Sequence, residues 1–181
     1  MKHISTLLVV LAICACSTNK INTESYETWN VVTQTKGPDL GYSPSSGVEI
    51  LKIDGFAFKD LNKNGELDIY EDWRQPVYER AADLASKMTL EEICGLMLYS
   101  SAVKVNSPEP TEGHLNLLDV DNIRHMLVAD VIDAQTGAAW SNAIQAHCEA
   151  TRLGIPSNNS SDPRNYTNGT ANVNNYKVVQ M

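Results

Sequence analysis

Oxygen-bearing side chains recur at alternate positions in the stretch Lys59-Asp-Leu-Asn-Lys-Asn-Gly-Glu-Leu-Asp-Ile-Tyr-Glu-Asp-Trp73. Counted from Asp60, they fall at the first, third (Asn62), fifth (Asn64), ninth (Asp68) and twelfth (Glu71) places, with Gly65 at the sixth and Glu66 at the seventh. Hard divalent cations take oxygen ligands, and this order is that of an EF-hand loop. Alternate side chains aim inward, glycine permits the sharp bend, the seventh residue offers its backbone carbonyl and the last glutamate can bind through both oxygens. The expectation is a structural Ca²⁺ held by Asp60, Asn62, Asn64, Glu66, Asp68 and Glu71; the alternative is a solvated acidic turn. A sensor would need a helix on each side and usually a second loop. Here the upstream flank contains Gly55 and reads as extended chain, so the loop is expected to be a brace.

Other chemistry-bearing residues are less informative. His114, His125 and His147 have no carboxylate at a useful spacing, which points to surface or packing roles, and His3 belongs to the leader. Cys94 and Cys148 fall on the apolar faces of expected helices and read as small buried hydrophobes rather than a disulfide or a nucleophile. No Cys-His spacing suggests zinc.

The elements that must position the loop can be read from the rest of the chain. Its 181 residues, 43% hydrophobic, give room for one packed domain. A net charge of -8 without a basic patch excludes a nucleic-acid binder. Residues 1–15 carry a short basic start and an apolar run too short for a membrane span, and Ile13-Cys-Ala-Cys16 has the form of a lipobox. Residues 1–15 are therefore expected to be a lipoprotein signal peptide and Cys16 the lipidated residue. That places the chain in a bacterial cell envelope, periplasmic or outer-membrane associated and held to the membrane by its lipid anchor. Residues 16–46, rich in Ser, Thr, Asn and Gly, read as a tether. Residues 48–58 suit one or two short strands. Pro76 opens a helix with apolar residues at helical spacing as far as Met88, and Thr89-Leu-Glu-Glu92 is a capping box for a second helix reaching about residue 98. Residues 107–113 read as a loop and 119–128 as a third helix entered through acidic residues. A fourth helix over 134–153 would bury Trp140, Ile144, Cys148 and Thr151 and stop at Gly154 and Pro156.

Two further stretches, Arg80-Ala-Ala-Asp-Leu-Ala-Ser-Lys-Met-Thr-Leu-Glu-Glu92 and Asn142-Ala-Ile-Gln-Ala-His-Cys-Glu-Ala-Thr-Arg-Leu-Gly-Ile-Pro156 leading into Ser160-Ser-Asp-Pro-Arg-Asn165, complete a pattern with Tyr70-Glu-Asp-Trp-Arg74. In this order they resemble the amino-terminal part of glycoside hydrolase family 3, the β-glucosidase and β-xylosidase family. The resemblance implies an α/β fold, the opening segment of a (β/α)₈ TIM barrel left incomplete, mostly helical with few short strands. Residues 47–165 would form this partial domain and 166–181 a divergent polar tail. The Arg152-to-Pro156 turn would lead into the first barrel strand, although Ser157-Asn-Asn-Ser160 is polar for a buried parallel strand. Asp162 would accept hydrogen bonds from hydroxyls of a β-linked oligosaccharide or glycoside, and the reaction would be a retaining double displacement between two carboxyls ~5–5.5 Å apart. Neither catalytic carboxyl is assigned to a residue here, since the family's nucleophile lies beyond this segment and a full barrel takes about 250 residues. The expectation is a β-glucosidase-like hydrolase that is truncated and inactive as this chain; the alternative is a non-catalytic calcium-binding envelope lipoprotein.

Overall fold

A computed structural model describes residues 19–161; Cys16 and Asp162 lie outside the described residues. The elements are β1 (Ile21–Ser25), β2 (Asn30–Gln34), β3 (Leu40–Tyr42), β4 (Glu49–Ile53), β5 (Phe56–Asp60), α1 (Val77–Lys87), α2 (Leu90–Leu96), β6 (Val103–Val105), α3 (Glu112–Asp119), β7 (His125–Val131), α4 (Ala134–Ala150) and β8 (Asn158–Ser160). Together they make a small mixed α/β unit.

The stretch expected to be a tether is corrected from Ile21 onward. There β1, β2 and β3 form an antiparallel sheet, with Ile21 opposite Gln34 and Asn30 opposite Tyr42. Val32 is buried, and the carboxamide of Gln34 does the joining that apolar residues do elsewhere. Its Nε2 donates to the Ala57 carbonyl at 3.3 Å, and its Oε1 accepts the Ala57 N–H at 3.1 Å. Next, β4 and β5 make a hairpin through Asp54 and Gly55, both with positive φ, the two-residue turn whose twist matches its strands. Trp73 stacks on buried Phe58 with ring centroids 5.4 Å apart, and a Cβ on Gly37 would lie 2.7 Å from that indole.

Both helices expected after the acidic loop are present. Pro76 precedes α1, and the capping box of α2 is formed, with Thr89 Oγ1 accepting the Glu92 N–H and Glu92 Oε2 accepting the Thr89 N–H. Gly95 lets α2 approach the turn at residues 121–122, where a Cβ would come within 2.4 Å of the Asp121 carbonyl.

Beyond α2 the chain forms a parallel sheet in the order β6, β7, β8, with α3 and α4 as crossovers. Val103, Val105, Leu118, Met126, Trp140, Ile144 and Cys148 are its core. The helix expected over 119–128 is not there. Asp119 ends α3, Asn122 turns the chain at φ 54°, and the following apolar run is β7. A short apolar run carries no decisive period, and the acidic residues that looked like a helix start belong to a helix end. The strand after Pro156 is likewise not the first of the parallel series but the third. Its polar residues are accommodated by α4. The Gln145 carboxamide bonds both the N–H and the carbonyl of Ser157, and Asn159 reaches Ser141. Cys148 is buried as expected, whereas Cys94 is exposed.

Candidate functional site

The acidic loop is an ordered structure held by its own side chains. Asp60, buried, accepts the N–H of Asn64 at 3.1 Å and of Gly65 at 2.8 Å. Glu71, also buried, accepts the N–H of Leu61 at 2.7 Å and of Asn62 at 3.2 Å on Oε1, and that of Asp68 at 3.1 Å on Oε2. The first and last loop residues thus tie its ends together. Asn62 and Asn64 each accept the N–H two residues on, the local turn that carboxamides favour. Lys63 and Gly65 take left-handed backbone conformations, φ 59° and 80°.

Asp68 is the loop's electrostatic centre. Its Oδ2 accepts the side-chain N–H groups of Asn62 at 2.6 Å and Asn64 at 2.9 Å, and its Oδ1 lies 2.8 Å from Lys87 Nζ on α1. Burial pushes its carboxyl up, but the bonds from Lys87 and Asn62 outweigh this and hold it below the usual range. For Glu71 the balance is reversed, and burial leaves its carboxyl above the usual value despite the N–H groups facing it. Next to it, the guanidinium of Arg74 holds Asp72 down to about 2.

Among the described residues no three His, Cys, Asp or Glu side chains gather as a metal-binding group. Any cation in the loop would therefore draw on carboxamide and backbone oxygens besides the carboxylates. Such a hard, all-oxygen donor set suits Ca²⁺ rather than a transition metal, with Lys87 sharing Asp68.

Two lysines fasten this region to α4. Lys63 Nζ donates to the Leu61 carbonyl at 3.0 Å and to the Glu149 and Thr151 carbonyls, each at 2.7 Å, so it satisfies orphan acceptors at the helix's negative end. Lys59 on β5 meets buried Glu149 Oε1 at 2.7 Å, and Glu149 Oε2 accepts the Ser43 N–H at 2.7 Å. Because α4 starts after the carboxyl end of β7 and returns to the amino end of β8, its last turn lies at the amino ends of the parallel strands. The loop therefore braces the face opposite the strand carboxyl ends, where parallel α/β folds place their chemistry. Asp162 lies two residues beyond Ser160, the carboxyl end of β8. Sequence reasoning missed Glu149 and Lys63, whose contacts between the loop region and α4 span 86 to 106 residues of the chain and leave no local spacing to read.

No protein-family profile matches the chain. It is 40% identical over 129 residues to the periplasmic beta-glucosidase/beta-xylosidase of Dickeya chrysanthemi, an alignment covering 65% of this chain and 19% of that protein. Beta-glucosidase C of Emericella nidulans is 32% identical over 108 residues, covering 58% of this chain and 18% of its own length. The probable beta-glucosidase C of Aspergillus oryzae is 32% identical over 111 residues, covering 56% and 17%. The chain thus spans about a fifth of the length of these relatives, 17 to 19%. What it shares with them is a glycoside hydrolase family 3-like amino-terminal part.

Proposed function

We propose that this chain supplies the opening βα units of a β-glycosidase barrel, with the acidic loop as a calcium-held brace at their amino-end face. The observation that carries this reading is the 40% identity to a periplasmic beta-glucosidase/beta-xylosidase. The parallel β6-α3-β7-α4-β8 order supports it, since such crossovers are the repeating unit of a (β/α)₈ barrel. In this reading Asp162 accepts hydrogen bonds from hydroxyls of a β-linked glycoside at the carboxyl end of β8. Closing a barrel takes eight strands, so the 181-residue chain alone is expected to give no turnover.

Chromogenic aryl β-glucosides and β-xylosides test both halves of the reading. The chain alone should be inactive, whereas a chimera joining it to the remainder of the Dickeya chrysanthemi protein should hydrolyse one or both substrates, and Asp162→Ala in that chimera should raise KM. Turnover by the chain alone would overturn the inactivity, and a folded but silent chimera would overturn the glycosidase role.

The relative's periplasmic placement and the lipobox at Cys16 support an envelope location through a lipid anchor. In a bacterial host, radiolabelled palmitate should enter the chain and be lost in Cys16→Ala; equal labelling of both, or none, removes the anchor. A second reading, a non-catalytic calcium-binding envelope lipoprotein, is favoured by one observation. The carboxylates of Asp60, Asp68 and Glu71 are all held by partners among the described residues, so the loop's shape is set within this segment.

A further inference from the structure

The sequence points to a surface or packing role for His114, but the atoms it touches make it more than filler. It is the third residue of α3, and it is buried. Its Nδ1 accepts the Thr111 N–H at 3.3 Å, closing the α3 capping box, while Thr111 Oγ1 accepts the His114 N–H. The same Nδ1 accepts the indole N–H of Trp140 on α4 at 3.1 Å, with the two rings edge to face. A backbone N–H and an indole N–H can only donate. One lone pair therefore receives two donors, and the ring must be neutral with its proton on Nε2.

We propose that His114 is an acid-sensitive latch between α3 and α4, closed while Nδ1 is unprotonated and opened when a proton occupies that nitrogen. A proton on Nδ1 would face two N–H groups at once. The start of α3 would lose half of its capping box, and Trp140, in the parallel sheet's core, would lose the acceptor of its indole N–H. The two helices joined by this nitrogen are the crossovers that hold β6, β7 and β8 in order.

Among the described residues, the groups bonded to the His114 ring are a backbone N–H and the indole N–H, and no charged side chain pairs with it. On α4 the facing group is the neutral indole. On α3 itself the acidic residues are Glu112 and Asp119, and Asp119 is engaged by His147. On β6, Val103 and Val105 are buried while Lys104 points out to solvent. Burial is what lowers the ring's affinity for a proton, below the ordinary value of 6.5. A histidine with a depressed folded pKa binds fewer protons folded than unfolded. Its contribution is fully present above 6.5, declines as the pH falls below that value, and is gone below the folded pKa. In a compartment open to the outside medium, the latch would tie the packing of this region to external acidity.

The test is a pH titration of the full chain by NMR, following the His114 ring and the Trp140 indole N–H, beside urea unfolding from pH 7.5 to 5. His114→Asn places a non-titrating oxygen where Nδ1 stands. The parent should show His114 titrating below 6.5, the Trp140 indole signal shifting with it, and the urea midpoint falling over the same range. The variant should keep the indole signal fixed there and lose less of its midpoint. An indole signal that ignores His114, or that moves equally in parent and variant, overturns the latch. Should His114→Asn fail to fold, the parent titration alone decides, through whether the two signals move together.

Discussion

Glu149→Ala should lower the stability of the folded chain by about 2–3 kcal/mol, a fall in urea midpoint of ~1 M or more. The carboxylate is buried on α4 and joins two strands that come from the other end of the sequence, through Lys59 on β5 and the Ser43 N–H just after β3. Truncation leaves an ammonium and a backbone N–H without their acceptor at the same spot. Removing one member of a buried pair is costly because the other charge stays desolvated, with 3–5 kcal/mol as the usual range. The figure here is taken lower because 26% of the Lys59 side chain reaches solvent and its Nζ keeps the Gly41 carbonyl. Adding Lys59→Met to the variant should return part of the loss, about 1 kcal/mol, since no charge then remains to be satisfied. A Glu149→Ala midpoint indistinguishable from the parent would show that the amino-terminal strands are not anchored through this residue.

The same junction explains why some of the fold was legible and some was not. The helices α1, α2 and α4 declare themselves through short-range signals, namely a proline at the entry, a capping box and a glycine-proline stop, and each was found within a few residues of its expected span. The sheet of β1, β2 and β3 has no such signal. Strand β1 is largely exposed and polar, and the sheet is joined to the backbone of Ala57 and Gly55 by Gln34 and Asn19, hydrogen bonds across a distance that leaves no periodicity. Strand β8 looks polar for a buried strand for a related reason, since its segment is matched by Ser141 and Gln145 rather than by apolar packing. At the acidic loop, residue types and spacing gave the six candidate ligands and the bend at Gly65. They could not show that Lys87 sits on Asp68 or that Lys63 caps α4, because both contacts depend on where the helices come to rest.

Glu71→Ala is the sharpest probe of that loop, because the structural and metal-binding roles separate in one experiment. Without calcium, the substitution removes the acceptor of the Leu61, Asn62 and Asp68 N–H groups together and should cost about 3 kcal/mol at roughly 1 kcal/mol each. The loss is structural and should appear in the presence of a chelator. With calcium at a hundredfold excess over its Kd, the parent should gain about 2.7 kcal/mol through preferential binding to the folded state. The variant, lacking the ligand that closes the loop, should gain little, and calorimetry should show calcium-dependent heat for the parent alone. Asp60→Ala should behave likewise, since Asp60 holds the loop's other end through Asn64 and Gly65. If the parent unfolds at the same urea concentration with calcium as with chelator, the acidic residues hold the turn by hydrogen bonds alone and the calcium assignment falls. The brace would survive that result, because the bonds of Asp60 and Glu71 and the grip of Lys63 on α4 involve no metal.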